Sequence, residues 1–387
     1  MSKSKNIFKS CAPCHASSNT FRKLITVRST KSYKRCLKHL REMGINPFKT
    51  VPHSRIIGCH FNKAASVQSL LNNPLIKLVE KDMKIRAHGI PKQKRAFRSP
   101  SLPLLTPATT PALVTWNIRR IQAPEAWKMT RGKSINVAVL DTGIANHPDL
   151  RISGGVNTID GGSFADDNGH GTHVAGIIAA IGKNGNVIGT APEVNLYAVK
   201  ALNGDGEGYV SDIIEGIYWC IDNHMNVINM SFGVLGSDSS ATLHQAIKKA
   251  VKRGIVIVAS AGNSGNSAGQ IDEPASFTET IAVAASTKAN KIASFSSRGK
   301  GISITAPGEN ILSTWLNGSY KKLSGTSMAS PHVAGGAALL LACRSGTRPQ
   351  LVKKKLKCRS IKLRGFSTLA QGSGLMQLEH LFESNQA

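Results

Sequence analysis

Residues 135–143 read INVAVLDTG, an apolar run that ends in an aspartate followed by a Thr-Gly turn. Short apolar runs rich in β-branched residues and bounded by turn residues are typical of strands buried on both faces. The same pattern recurs at residues 194–200 (VNLYAVK), 226–231 (NVINMS), 255–262 (IVIVASAG) and 280–286 (TIAVAAS). Helical patterns lie between the runs, at 174–180, 209–223 and 240–253. This alternation predicts an α/β fold with a parallel sheet and helices on both faces, and a site beyond the strand carboxyl ends.

The N-terminal part of the chain predicts a separate, small α+β unit. Its strand patterns lie at 21–27, 56–61 and 76–85, and its helical patterns at 32–43 and 64–71. The stretch from residue 87 to 111 is rich in Pro, Ser, Thr and basic residues, which is typical of a linker. The predicted organisation is a disordered terminus at 1–20, a small domain at 21–88, a linker at 89–115 and a large domain at 116–387.

Charge is concentrated in the first third of the chain. The formal net charge of the 387 residues is +27; residues 1–115 carry 22 Lys and Arg against 3 Asp and Glu, and residues 116–387 carry 27 against 19. A basic segment of this kind can bind nucleic acid by neutralising phosphates. No nucleic-acid-binding motif accompanies the charge, so we expect a solvated basic face and no nucleic-acid partner.

The sequence gives only indirect indications of the cellular compartment in which the protein acts. The first twenty residues lack the apolar core of a secretory signal, and no stretch reaches 18 consecutive apolar residues, so neither an export signal nor a membrane span is predicted. The seven cysteines are odd in number and irregularly spaced, which argues against an obligatory disulfide framework.

Three segments carry residues suited to nucleophilic catalysis. Asp141 closes the first apolar run, although an aspartate there could equally be a turn or capping residue. In NGHGTHVAG (168–176), the glycines beside His170 give its imidazole room to approach other backbones, whereas His173 should pack inside the helix. In SGTSMASPHVAG (324–335), Ser327 falls at a helix start, where a serine is ordinarily a cap but where free N–H groups also suit an oxyanion.

Together these segments resemble the subtilisin-like serine proteases, the subtilase family, which has the chain order Asp, His, Ser. The resemblance extends from about Trp116 to Leu381 and includes the strings GHGTHVAG, NMSFG and SGTSMASPHVAGG. It implies a serine endopeptidase in which Ser327 attacks the peptide carbonyl, His170 is the general base and Asp141 orients the base. No cofactor is implied for this chemistry.

The resemblance also implies a substrate cleft. Asn263 matches the family's oxyanion donor, and the Ser327 N–H would be its companion. An extended peptide is expected to add as a strand beside the segment Ser231, Phe232 and Gly233, with Ala261 and Gly262 also in the substrate site.

Two positions depart from the family pattern. Asp272 stands where subtilisins commonly have a small residue at the floor of the specificity pocket, and its carboxylate would favour Lys or Arg at P1, the residue before the cleaved bond. The alternatives for Asp272 are an exposed loop residue or a weak cation ligand. The family's calcium site is represented by Asp149, but Lys183 and Ala112 stand at two other ligand positions and offer no suitable neutral oxygen ligand, although Asn184 could substitute.

Residues 21–86 resemble the inhibitory propeptide of many subtilases and end in LVEKD (78–82). This resemblance implies a self-processing zymogen whose propeptide is an intramolecular inhibitor and chaperone, with an unrelated α+β module as the alternative. Registration with the family places self-cleavage near His88, whereas a basic-preferring pocket would favour the Lys94-Arg95 pair.

Two other functions stay open at this point: a basic binding protein whose protease domain is incidental, and a catalytically dead subtilase. The retained triad and Asn263 argue against the second. We expect a monomer. The resemblance favours an extracellular or cell-envelope location, and the missing signal pattern leaves a cytoplasmic one open.

Overall fold

The computed structural model describes Phe8 and residues 20–62, 68–88, 111–234, 239–266 and 269–382. Most of the predicted disordered terminus and of the predicted linker therefore lies outside the described residues.

The N-terminal unit is an antiparallel sheet covered by a helix. Its elements are β1 (Thr20–Val27), α1 (Thr30–Glu42), β2 (Lys49–Val51), a 3₁₀ turn (Pro52–Ser54), β3 (Ile56–Asn62), α2 (Gln68–Leu71) and β4 (Ile76–Lys81), with strand order β2-β3-β1-β4. The Ser29 hydroxyl caps α1 by accepting the N–H of Ser32 at 3.1 Å. The helix buries Tyr33, Cys36 and Leu40, a helical stripe against the sheet.

The prediction of a single strand at 76–85 is wrong. Strand β4 ends at Lys81, Asp82 and Met83 are not in a strand, and β5 (Lys84–Ala87) belongs to a different sheet. The predicted helix at 64–71 is described only over residues 68–71, which are helical. Its first four residues lie outside the described ranges.

The large unit contains a seven-stranded, wholly parallel sheet. Its strands are β6 (Asn136–Asp141), β7 (Ile152–Asn157), β8 (Asn195–Lys200), β10 (Val227–Met230), β12 (Val256–Ser260), β13 (Ile281–Ser286) and β14 (Ile302–Pro307), while the short β9 (Glu207–Tyr209) and β11 (Phe232–Val234) pair elsewhere. The strand order is β14-β13-β12-β10-β6-β8-β7. All five predicted strands are present, and β7 and β14 extend the two edges. A hairpin of β15 (Ile311–Thr314) and β16 (Tyr320–Leu323) follows.

Helices cover both faces of this sheet, as predicted. They are α3 (Trp116–Arg120), α4 (Ala123–Trp127), α5 (His170–Ala179), α6 (Val210–Asp222), α7 (Ala241–Lys252), α8 (Thr326–Cys343), α9 (Pro349–Cys358) and α10 (Thr368–Gln371), with 3₁₀ turns at Lys183–Gly185 and Leu316–Gly318. Strand β6 sends Val137 and Val139 into the core under α5 and α8, and Ala138 and Leu140 into the core under α6 and α7. Burial on both faces explains the continuous apolar run.

The N-terminal unit docks on the first turns of α6 and α7. Glu80 accepts hydrogen bonds from Ser240 Oγ at 2.7 Å and from the Thr242 N–H, beside the start of α7. Asp82 accepts from both the N–H and the Oγ of Ser211 at 2.9 Å, in the first turn of α6. Carboxylates at helix N-termini satisfy free N–H groups and complement the helix dipole. The two units therefore share a specific, charged interface.

A buried ion pair adds to this interface: Lys49 Nζ lies 2.8 Å from Asp212 Oδ1, and both side chains are less than a tenth exposed.

Among the helices of the described ranges, none combines the length and the apolarity that a bilayer span requires.

Candidate active site

Asp141 is the last residue of β6, and its side chain is wholly buried at the carboxyl edge of the sheet. Its Oδ1 accepts the N–H of Thr142 at 2.7 Å and lies 2.7 Å from Nδ1 of His170. The strand end thus aims a carboxylate at an imidazole, as predicted for these two residues.

His170 is the first residue of α5, four positions earlier than the predicted helix start at 174. Gly169 precedes it with φ of 102°, a left-handed conformation that favours glycine. At Gly171 a Cβ atom would lie 2.1 Å from the carbonyl oxygen of Gly143, so only glycine lets the helix abut the turn after Asp141. Backbone packing therefore sets the distance between base and carboxylate.

The charge on His170 is governed by opposing effects. Complete burial disfavours the imidazolium, but the Asp141 carboxylate outweighs burial, so the pKa of His170 is raised above its ordinary value. His173, by contrast, is buried without a carboxylate, and burial lowers its pKa to about 3. This difference separates a histidine suited to proton transfer from a neutral packing one.

Asp166 holds the two loops of the site together and was missed by the sequence analysis. Its Oδ1 accepts from Thr142 Oγ1 at 2.8 Å and from the N–H groups of Asn168 and Gly169, while Oδ2 accepts from the N–H and Oγ1 of Thr172. The spacing of an aspartate four residues before His170, in a Gly-containing turn, was the available signal.

Ser327 lies in the first turn of α8 and is wholly buried. Its hydroxyl donates to the carbonyl oxygen of Ser231 at 2.9 Å. Asn263 lies beside it, and its Oδ1 accepts from both the N–H and the Oγ1 of Thr326 at 2.9 Å. Because the oxygen is fixed in this way, Nδ2 is the side-chain atom left to donate to a ligand.

The cleft is filled by the end of the N-terminal unit. Strand β5 pairs antiparallel with both β11 and β9, forming the three-stranded sheet β11-β5-β9. The His88 N–H, one residue beyond β5, donates to Ser231 O at 3.1 Å. A segment of this same chain therefore pairs beside Phe232 and Gly233, where an extended substrate peptide is expected to add.

The carbonyl oxygen of His88 lies 3.0 Å from Nε2 of His170. A carbonyl and a carboxylate oxygen can only accept hydrogen bonds, so both ring nitrogens of His170 must donate in this arrangement. Although burial opposes it, the Asp141 carboxylate and this contact raise the pKa of His170, which favours its imidazolium form while His88 occupies the cleft.

The His88 side chain points into a pocket that contains Asp272. Its Nδ1 is hydrogen-bonded to Ser260 Oγ at 2.7 Å, and its Nε2 lies 2.8 Å from Asp272 Oδ2. The Asp272 N–H donates to the carbonyl of Ala261, which fixes the pocket floor to the end of β12. At Gly262 a Cβ would lie 2.6 Å from Asp272 Oδ2, so a larger residue would displace the carboxylate.

Comparisons with known proteins agree with this geometry. The model of the "Subtilase family" matches residues 132–372. The chain belongs to the subtilase family. It is 47% identical over 269 residues to Subtilisin Savinase of Lederbergia lenta, covering 69% of this chain and 97% of that protein.

Two further subtilases extend the comparison. The Alkaline protease of Alkalihalobacillus alcalophilus is also 47% identical, over 69% of each chain. The Minor extracellular protease Epr of Bacillus subtilis (strain 168) is 45% identical over 58% of this chain and 35% of its own length. As a member of this family, the protein is a serine endopeptidase that acts on protein substrates.

At the position of the expected calcium ligand Asp149, both carboxylate oxygens accept hydrogen bonds from protein groups. Its Oδ1 accepts the N–H of Lys183 at 2.6 Å and its Oδ2 accepts the hydroxyl of Tyr320 at 3.1 Å. Calcium needs six to eight oxygen ligands, and the Asp149 oxygens that it would use are shared with these protein donors. Within the described ranges, no group of three His, Cys, Asp or Glu side chains could hold a metal ion.

Proposed function

We propose that Ser327, His170 and Asp141 form the catalytic triad of this endopeptidase. Neutral His170 takes the Ser327 proton through Nε2 as Oγ bonds to the carbonyl carbon of the substrate. The carbonyl oxygen gains the electron pair and accepts hydrogen bonds from Asn263 Nδ2 and the Ser327 N–H. His170 then returns the proton to the leaving amine as the C–N bond breaks, and water hydrolyses the acyl-enzyme by the reverse sequence.

One observation carries this proposal: the Asp141–His170 pair lies against the carbonyl of a peptide segment that is already seated in the cleft. Labelling with a fluorophosphonate probe tests it. Wild-type mature protein and Ser324→Ala should label, because Ser324 belongs to the same loop but its hydroxyl accepts the N–H of Asn310. Ser327→Ala should not label; labelling of that variant would refute the assignment.

We further propose that the chain is a self-processing zymogen and that residues 21–88 inhibit it. The support is the charged interface with α6 and α7 and the insertion of β5 between β9 and β11. The His88 carbonyl is the one next to His170, which favours cleavage after His88 over cleavage after Arg95.

Intact-mass analysis distinguishes the two processing points. We expect a mature protein that starts at Gly89, whereas a start at Ala96 would favour the linker site. The Ser327→Ala chain should keep all 387 residues. Conversion of that variant at the same rate by itself would contradict self-processing.

The proposed P1 preference is for basic residues. Asp272 is about 29% exposed and faces a histidine in the pocket, which supports pairing with a cationic P1 side chain. Peptides that differ only at P1 test this proposal, and a clear preference for Phe or Leu over Lys, Arg and His would contradict it.

An extracellular site of action is proposed from the relatives, one of which is named as an extracellular protease. Immunodetection of the Ser327→Ala chain in medium and cell fractions tests this location, and retention in the cytoplasm would contradict it.

A further inference from the structure

The cleft of this subtilase holds a peptide whose register is defined residue by residue. Arg86 lies opposite Gly233 of β11 and Glu207 of β9, and Lys84 lies opposite Tyr209. Substrate positions are counted back from the cleaved bond, so with His88 at P1, Arg86 is at P3 and Lys84 at P5. Side chains alternate across a strand, so P3 and P5 share one face and P2 and P4 share the other.

The inner face of the segment is apolar and enclosed. Ile85, at P4, is wholly buried in the core that also contains Val210 and Val234, and Ala87 at P2 is 5% exposed. At Gly208, opposite Ile85, a Cβ would lie 2.2 Å from the carbonyl oxygen of Ala201. The short strand β9 is thereby held close to the sheet, with its side chains at 207 and 209 beside P3 and P5.

The outer face is charged and complementary. Arg86 Nη2 lies 3.8 Å from Glu207 Oε1, and Lys84 Nζ lies 3.9 Å from Glu207 Oε2. The Arg86 and Glu207 side chains are each about one third exposed, so solvent screens this pair only in part. Directly opposed residues of opposite charge on one face of an antiparallel pair attract each other.

We propose that Glu207 is a specificity-determining residue that selects substrates with basic side chains at P3 and P5. This inference rests on the proposed protease function and adds a second acidic contact to that of Asp272 at P1. The substrate class is a polypeptide segment with basic residues at alternate positions, P1, P3 and P5, separated by a small residue at P2 and an aliphatic one at P4. The chain's own sequence at 84–88, KIRAH, has this pattern.

Hydrolysis of fluorogenic peptides by the mature enzyme tests the proposal. Three peptides carry Ile-Xaa-Ala-His from P4 to P1, with Arg, Gln or Glu as Xaa. We expect kcat/KM to be about threefold higher for Arg than for Gln, as suits a partly exposed cross-strand ion pair, and about tenfold higher for Arg than for Glu. Both ratios should shrink in 1 M salt.

Variants assign the preference to Glu207. Glu207→Gln should bring the Arg:Gln ratio close to one, and Glu207→Lys should make the Glu peptide the better substrate. Glu193→Gln is the matched control, because Glu193 pairs with Arg131 and precedes β8 at the amino-terminal edge of the sheet, away from the cleft; its ratios should equal those of the wild type.

Equal hydrolysis of all three peptides by the wild type, or an unchanged Arg preference in Glu207→Lys, would overturn the role of Glu207 and leave the protease function intact. Failure to hydrolyse any peptide, together with no fluorophosphonate labelling, would overturn the proposed function and this inference with it.

Discussion

Gly233→Ala offers a direct test of the pocket that holds His88. Gly233 does not have a positive φ, so alanine can adopt its backbone conformation without strain. A Cβ at this position would nevertheless lie 2.3 Å from His88 Nε2 and 2.8 Å from Asp272 Oδ2. The substitution should therefore leave the protein folded and narrow the pocket.

The size of the effect follows from those distances. Nonbonded heavy atoms prefer separations of about 3.5 Å or more, so the P1 ring must move by about 1 Å and lose its 2.8 Å contact with Asp272. Overpacking of one methyl group typically costs about 1–3 kcal/mol. At 1.36 kcal/mol per factor of ten, kcat/KM for P1 His or Arg should fall about 5- to 150-fold. A P1 alanine does not reach the new methyl, and its kcat/KM should stay within about threefold.

Peptides that differ only at P1 measure this contrast, with fluorophosphonate labelling as the check that the nucleophile is intact. Gly204→Ala is the control, because a Cβ there meets nothing nearer than 3.4 Å and the φ is not positive. Equal losses for P1 His and P1 Ala would indicate a distorted backbone, and no loss for P1 His would mean that P1 side chains do not enter this pocket. Either result would refute the reasoning.

Four further predictions follow from named contacts. Asn263→Ala should lower kcat about 10²- to 10³-fold in steady-state hydrolysis with a nearly unchanged KM, which is the magnitude known for the oxyanion asparagine of subtilisin. A tenfold rise in KM alone would contradict the oxyanion role. In a pH–rate profile at saturating substrate, kcat should fall on the acid side with a midpoint above 6.5, because burial opposes the charge on His170 but Asp141 and a peptide carbonyl at Nε2 outweigh it, and the base is inactive once protonated. A midpoint below 6 would refute this. Thermal unfolding of the mature protein should have the same midpoint in EDTA and in excess calcium, because both oxygens of Asp149 have protein donors; a calcium-dependent rise of several degrees would contradict it. In the Ser327→Ala background, Lys49→Met should destabilise the chain by about 3 kcal/mol in denaturant unfolding, since it strands a buried Asp212 carboxylate, and adding Asp212→Asn should recover part of the loss. No recovery would mean that the pair is not coupled.

The sequence predicted the central sheet well because its strands are buried on both faces, and double burial leaves an uninterrupted apolar run. The edge strands β7 (ISGGVN) and β14 (ISITAP) were missed because glycine, serine and threonine interrupt their apolar runs, although every residue of β14 is buried. Local pattern also failed at 76–85, because the break at Asp82 depends on partners far away in the chain, Arg22 and Ser211.

The active site shows the same difference between residues with a local sequence signal and residues that act through distant contacts. Asp141, His170 and Ser327 could be singled out because their motifs are local, and the structure brings Asp141 and His170 into contact. Glu207 could not, since it acts through a strand supplied by the N-terminal unit. Asp166 was overlooked although its contacts with Asn168, Gly169 and Thr172 are local, and only its bond to Thr142 joins it to another segment.

The proposed inhibition by residues 21–88 has a physical basis in the contacts of His170 and Ser327. With the His88 carbonyl on Nε2 and Asp141 on Nδ1, the imidazole has no lone pair with which to take a proton from Ser327. The Ser327 hydroxyl meanwhile donates to Ser231 O, which also accepts the His88 N–H. Attack therefore requires three changes. The His88 carbonyl oxygen must leave Nε2, His170 must lose a proton, and the Ser327 hydroxyl must turn from the Ser231 carbonyl oxygen to Nε2. We therefore expect a higher pH both to weaken the contact between the imidazolium and the His88 carbonyl and to restore the base, so that release of the proposed inhibitory segment and activation of Ser327 depend on the same proton.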